Sequence, residues 1–172
     1  PAGGARVYTG TPPHGQGHVT SWSMLASEQL GIPIDRIEVI HGDTDLVPVG
    51  QGTMGSRSLQ LGGSAVHQAS IELVELARRR AADLLEANPD DLVLDKVDGR
   101  FHVAGTPSAG KSWAELATAG PEPLVVDTTF QAASSTFPFG THVIAVEVDT
   151  ETGKVTIRRV VTVDDAGRIL NP

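Results

Sequence analysis

Two apolar stripes recur at helical spacing, and each is entered through a glycine-rich loop. No other feature of the chain narrows its possible folds as much. In the first, Val19, Trp22, Leu25, Ala26 and Leu30 share one face of a helix predicted over 17–30. Gly31 suits the position just past its end, and Pro33 blocks continuation. In the second, Val66, Ala69, Leu73, Leu76, Ala77 and Leu84 predict a helix over 62–87, stopped by "NPDD". Strand patterns lie between and beyond these helices: 5–10, 37–40, a hairpin over 91–105 with Asp98-Gly99 at its turn, 124–131, and a longer hairpin over 141–167. One or two helical turns are expected over 112–116. Strands and helices interleave without a regular βαβ rhythm. The expected class is therefore α+β, a mixed sheet with the two amphipathic helices packed on one face. With no internal repeat or linker, residues 1–172 read as a single domain.

Composition excludes several functions. The net charge of −8, from 13 basic and 21 acidic residues, opposes nucleic-acid and anionic-membrane partners. The absence of cysteine excludes disulfides, thiolate metal sites and an iron–sulfur cluster held by this chain, and suits a cytoplasmic protein. No run reaches membrane-spanning length, so no membrane insertion is expected. Aromatics are only 4%, which leaves the core to Val, Leu, Ile and Ala. The chain opens on Pro1 and ends "GRILNP" straight after a strand-like run, which leads us to expect a piece of a longer polypeptide.

The loops carry the chemical signal. "TPPHGQGHVTSW" (11–22) places prolines, glycines, Gln16 and two histidines at a helix entrance. A helix N-terminus offers unpaired backbone N–H groups and partial positive charge, and glycine lets a ligand approach that backbone. Gln16 adds a carboxamide able both to donate and to accept. A metal site on His14 and His18 is disfavoured, because Gly-Gln-Gly separates them and no acidic partner is placed beside them. In the second loop, "GQGTMGSRS" combines three glycines (Gly50, Gly52 and Gly55), two serines and Arg57, a set suited to phosphate. It matches neither a Walker A loop nor, given the poor preceding strand and the late helix, a dinucleotide fingerprint. If both helices lie side by side, their N-termini converge on one anion, for which a pyrophosphate-bearing cofactor is a fit. "HGDTD" (41–45) reads as a solvated turn and "RRR" (78–80) as a solvated helix face. No nucleophile elbow or cysteine nucleophile is present, so no catalytic residue and no metal ligand is assigned. On these grounds alone, a stand-alone phosphate- or nucleotide-binding module and a structural assembly domain both stay open.

The ordered set GQG, HGDTD, GSRS, FPFGTH and VDDAGRILNP resembles the molybdenum-cofactor-binding domain of the xanthine dehydrogenase/aldehyde oxidase family. The likeness is nearest the branch containing the large subunits of bacterial aerobic carbon monoxide dehydrogenases, and it covers nearly the whole chain. It implies part of the molybdopterin-binding domain of a molybdenum hydroxylase large subunit, with the cofactor in a cytosine dinucleotide form. Carried over by position, the cofactor contacts are Gly15, Gln16, Gly17, Thr53, Met54, Gly55, Ser56, Arg57 and Ser58. The resemblance further implies an oxidoreductase acting on an aldehyde, an N-heterocycle or carbon monoxide with oxygen from water. Its expected partners are the remainder of the large subunit and FAD-binding and [2Fe–2S] subunits or domains. Two family elements are missing here: an Arg-containing loop near the metal, and a glutamate base in a Gly-Glu segment. The isolated chain is therefore expected to be inactive and to lack cofactor.

Overall fold

The computed structural model describes residues 3–171. They fall into two compact units, Pro1–Ala133 and Ser134–Pro172. In the first unit, β1 (Ala5–Tyr8) and β2 (Ile37–Ile40) pair in parallel, Ala5 opposite Ile37 and Tyr8 opposite Ile40. A parallel pair needs a crossover, and α1 (His18–Leu30) supplies it. The long helix α2 (Ser64–Leu85) follows the second glycine-rich loop through one π-helical turn, Leu59–Gly63. Then come β3 (Leu92–Asp95), β4 (Arg100–Val103) and β5 (Thr106–Ser112), an antiparallel sheet in that order, and the short α3 (Trp113–Thr118).

The apolar stripes meet in one core. Trp22, Ala26 and Leu30 of α1 and Val66, Ala77, Ala81 and Ala82 of α2 are buried together with Leu92, Phe101, Trp113 and Leu116. Trp113 serves two elements at once. Its ring meets Phe101 edge-on at 5.0 Å, and its indole Nε1 donates to the Leu30 carbonyl at the end of α1, 2.8 Å away. Gly31 closes α1 in the left-handed region (φ 62°), and a Cβ there would lie 2.6 Å from the Lys96 backbone. Glycine is thus required twice over at that helix end.

The α+β class holds, with the strands divided among three small sheets, one parallel and two antiparallel. Three local expectations change. Residues 124–131 form no strand. Side chains secure this region instead: Arg80 donates to the carbonyls of Leu116 (3.0 Å) and Glu122 (2.7 Å), and Thr128 donates to Glu72. Arg80 is accordingly a bracket between α2 and the chain after α3, not a merely solvated charge. Strand β5 escapes sequence reading because "TPSAGKS" has little strand propensity; its backbone pairing with β4 decides the matter.

The second unit is a hairpin of β6 (Phe139–Val148) and β7 (Val155–Asp165), as its alternation predicts. Arg158 is the extra residue of a bulge opposite Ala145/Val146, and it pairs with Glu147. Ile144, Val146 and Val148 share one face with Val155, Ile157 and Val160, and all six side chains are exposed. At the turn, the backbone N–H of Glu151 and the groups of Thr152 hold the Asp149 carboxyl below its ordinary pKa.

Helix α3 begins with a capping box. Ser112 Oγ accepts from the Glu115 N–H, and the Glu115 carboxylate accepts from the Ser112 N–H at 2.8 Å. The backbone N–H of Ser112, then its hydroxyl, lowers the Glu115 pKa. A lowered carboxylate pKa stabilises the fold above its unfolded value, and that contribution disappears as pH falls through the folded value. Ser112→Ala should cost about 1 kcal/mol in urea unfolding at neutral pH. The difference from the parent protein should shrink as pH drops below the ordinary carboxylate range.

Candidate functional site

The site is built where the two glycine-rich loops cross. Gly10 and Gly50 lie back to back: a Cβ on Gly10 would stand 2.4 Å from the Gly50 Cα, closer than any side chain tolerates. Two hydrogen bonds tie the crossing. The Gly52 N–H donates to the Gly10 carbonyl (3.1 Å), and the Thr53 hydroxyl donates to the Pro12 carbonyl (2.7 Å). Ser58 Oγ reaches Thr53 Oγ1 at 3.4 Å, extending the network to the first turn of the α2 run.

This crossing shapes an open cavity of about 480 Å³ lined by His14, Gln16, His18, Thr53, Met54, Gly55, Ser56, Ser58 and Leu59. It lies within the size range of small-molecule sites. Gln16 and the segment 53–56 with Ser58 therefore share one cleft, as the two loop-to-helix entries predict. Gly15, Gly17 and Arg57 flank the cavity without lining it. Gly17 caps α1 at φ 76°, a conformation that needs glycine, and its carbonyl accepts from the Ser21 N–H. The first N–H groups of α1 are left without intrahelical partners at the mouth of the cleft. Arg57 turns into its own loop, donating Nη1 to Gln51 Oε1 (3.0 Å) and Nη2 to the Gln51 carbonyl (3.2 Å). A guanidinium has five N–H donors, so others are left for a ligand.

The polarity of the cleft follows from its hydrogen bonds. The Gln16 carboxamide oxygen accepts from the His14 N–H, which leaves its NH₂ as the outward donor. His18, disfavoured above as a metal ligand, is a second polar group of the wall. It is buried, stacks 5.0 Å from Trp22, and places Nδ1 3.1 Å from the Thr11 carbonyl. A carbonyl only accepts, so Nδ1 carries the proton and Nε2 is the ring's remaining polar atom. Nothing in the sequence marks this role, because it depends on Thr11 lying against the ring. No carboxylate lines the cleft, although the chain is at −8 overall. Among the described residues no three His, Cys, Asp or Glu side chains cluster as metal ligands. Asp43 of "HGDTD" instead accepts from the N–H groups of Asp45 and Leu46, as a turn residue does. The arrangement thus presents amide donors, the Ser56 hydroxyl, two helix entrances and no carboxylate among the lining residues, which fits a phosphate-bearing ligand.

Comparison with known proteins gives a consistent result. The model of the molybdopterin cofactor-binding domain family matches residues 1–172. The chain is 38% identical, over 180 aligned residues, to the carbon monoxide dehydrogenase large chain of Hydrogenophaga pseudoflava, covering 100% of this chain and 22% of that one. It is 37% identical to the 6-hydroxypseudooxynicotine dehydrogenase complex subunit gamma of Paenarthrobacter nicotinovorans, over 99% of this chain and 22% of the relative. Among solved structures, the carbon monoxide-reduced state of the Cu,Mo-CO dehydrogenase superposes with a TM-score of 0.74 at 36% identity, over 96% of this chain and 22% of that one. The chain thus spans about a fifth of the length of these relatives. No helix among the described residues is long and apolar enough to cross a membrane.

Two stability measurements test the crossed-loop construction. Gly10→Ala and Gly50→Ala should each lower unfolding free energy by at least about 1–3 kcal/mol, the range for overpacking. Ser56 sits at φ 53° in the cleft wall. Ser56→Gly should relieve that conformation and leave stability unchanged or raised by about 1 kcal/mol. Ser58→Gly, in the helical run, should cost about 1 kcal/mol. A reversed order of the two serine variants in denaturant unfolding contradicts the geometry.

Proposed function

Because the chain belongs to the molybdopterin cofactor-binding domain family, we propose that the crossed-loop cleft is its share of the cofactor cradle in a molybdenum hydroxylase large subunit. The observation that carries this reading is a cleft walled by both glycine-rich loops and free of carboxylates. The residues present fit the group. The Gln16 NH₂ would donate to an acceptor of the group and the Ser56 hydroxyl to a phosphate oxygen, while Thr53 and Ser58, whose protons go to the Pro12 carbonyl and to Thr53 Oγ1, would offer lone pairs to a pterin N–H. The backbones of Gly15, Gly17, Met54 and Gly55 supply close approach, and the free N–H groups of Arg57 complete the anion contacts. A pyrophosphate-bearing cytosine dinucleotide form suits two helix entrances on one cleft. When bound, the cofactor supplies the metal centre for oxidising an aldehyde, an N-heterocycle or carbon monoxide with oxygen from water. This chain's residues bind and orient that group and supply no acid or base of their own.

Both units belong, on this reading, to one domain, since the family match runs through 1–172 without a break. The partners follow from the same membership: the remaining large-subunit polypeptide, and FAD-binding and [2Fe–2S] subunits or domains that carry electrons away. A cytoplasmic location is consistent with the cysteine-free composition.

Molybdenum and pterin content per protomer of the longer protein tests the cradle. A charge-assisted hydrogen bond to phosphate corresponds to roughly a tenfold or greater effect on affinity. Arg57→Ala should therefore reduce cofactor occupancy at matched thermal stability, and Arg57→Lys should restore it only in part because the fork is lost. Gln16→Ala should lower occupancy as well. Unchanged content in both alanine variants removes these side chains from the cradle. The 172-residue chain alone should show no turnover of aldehydes, purines or carbon monoxide with an artificial electron acceptor. Turnover above background would place a complete active site within it.

A further inference from the structure

A second groove lies away from the cofactor cleft, along the open edge of β3. Among the described residues this strand pairs only with β4, so its other side is the edge of the sheet. The ladder phase shows which backbone groups face outward. Ala104 N–H donates to the Asp91 carbonyl, and the register pairs Val93 with His102 and Asp95 with Arg100. Bonded pairs alternate along an antiparallel ladder, so Val93 and Asp95 turn their N–H and C=O groups to β4. Leu92 and Leu94 turn theirs outward. The Leu92 N–H is used by the Pro89 carbonyl, which leaves the Leu92 C=O and both groups of Leu94 for a partner strand.

This edge opens into a groove of about 390 Å³ whose other wall is one face of α2. Ile71 and Val74 make that wall apolar, and the two cations Arg78 and Lys96 outnumber the one carboxylate of the lining, Glu75. Arg78 spends Nη1 on Glu75 at 3.1 Å, while its Nε is buried without an acceptor. The charged lining is net positive, which favours an incoming carboxylate. The edge has neither the proline nor the bulge that commonly blocks strand addition.

We propose that the β3 edge and the adjoining face of α2 form a docking groove for an extended peptide segment of a partner protein, which adds as a fourth strand. Side chains alternate along a strand, so positions i and i+2 of the segment face α2 together. One is aliphatic and packs on Ile71 and Val74; the other is Asp or Glu and pairs with the Arg78 guanidinium. Main-chain bonds to Leu94 give attachment, and the acidic position gives selectivity, the usual division in strand addition.

The test uses the full polypeptide and the fluorescein-labelled, N-acetylated peptide Thr-Ile-Thr-Glu-Thr-Thr, read by fluorescence anisotropy. Saturable binding is expected, weakened about tenfold when the peptide's Glu is replaced by Gln or when the protein carries Arg78→Gln. A peptide N-methylated at two successive residues, which loses a ladder donor whichever way it lies, should not bind. The peptide variants leave the protein untouched, so an unfolded variant cannot mimic the result. No saturable binding up to about 1 mM, or equal binding of the N-methylated peptide, overturns the proposal. Equal binding of the Glu and Gln peptides overturns the assigned acidic position. None of these outcomes depends on cofactor occupancy.

Discussion

The contact between Gly10 and Gly50 is the constraint on which the site depends. Two backbones cross with no side chain between them, because a Cβ on either glycine would fall within 2.5 Å of the other chain. That closeness brings Gly52 N–H to the Gly10 carbonyl and Thr53 to the Pro12 carbonyl. Loops of this length ordinarily wander. Here each is pinned by the other, and the two helices they feed are locked through Trp22, Val66 and the alanines of α2. The cleft is therefore a by-product of backbone crossing, which is why its walls are mainly main chain, hydroxyl and amide.

Such walls suit an anion for an electrostatic reason. Amide donors and helix entrances attract negative charge at the wall itself, with the Arg57 guanidinium set beside it. The acidic residues that give the chain its −8 charge stay off this surface. Arg57, which flanks the cleft, is steadied by Gln51, which limits the side-chain entropy a ligand contact would cost. The same saving applies to Gln16, whose carboxamide is held by the His14 N–H.

The two units use apolar residues differently. In the first, the helical stripes disappear into a core closed by Trp113 and Phe101. In the hairpin, Ile144, Val146, Val148, Val155, Ile157 and Val160 form a continuous aliphatic face, all of it exposed. Cross-strand contacts on that face stabilise the hairpin, but two strands alone are only marginally stable in water.

By itself the sequence determined the elements whose cause is local. The two helices, their glycine-rich entrances and the 141–167 hairpin were all legible. Helical periodicity, alternation and turn chemistry act over a few residues, and the ordered motifs exposed the family. Tertiary structure decided what depends on partners distant in the chain. Strand β5 exists because β4 offers a ladder to a segment of poor propensity, and 124–131 fails to become a strand because no neighbour pairs with it. Arg57 faces Gln51, Arg80 brackets two distant carbonyls, and His18 acquires a fixed tautomer from Thr11. Each of these is a hydrogen bond whose donor and acceptor meet only after the backbone has folded, and no spacing in the sequence encodes that meeting.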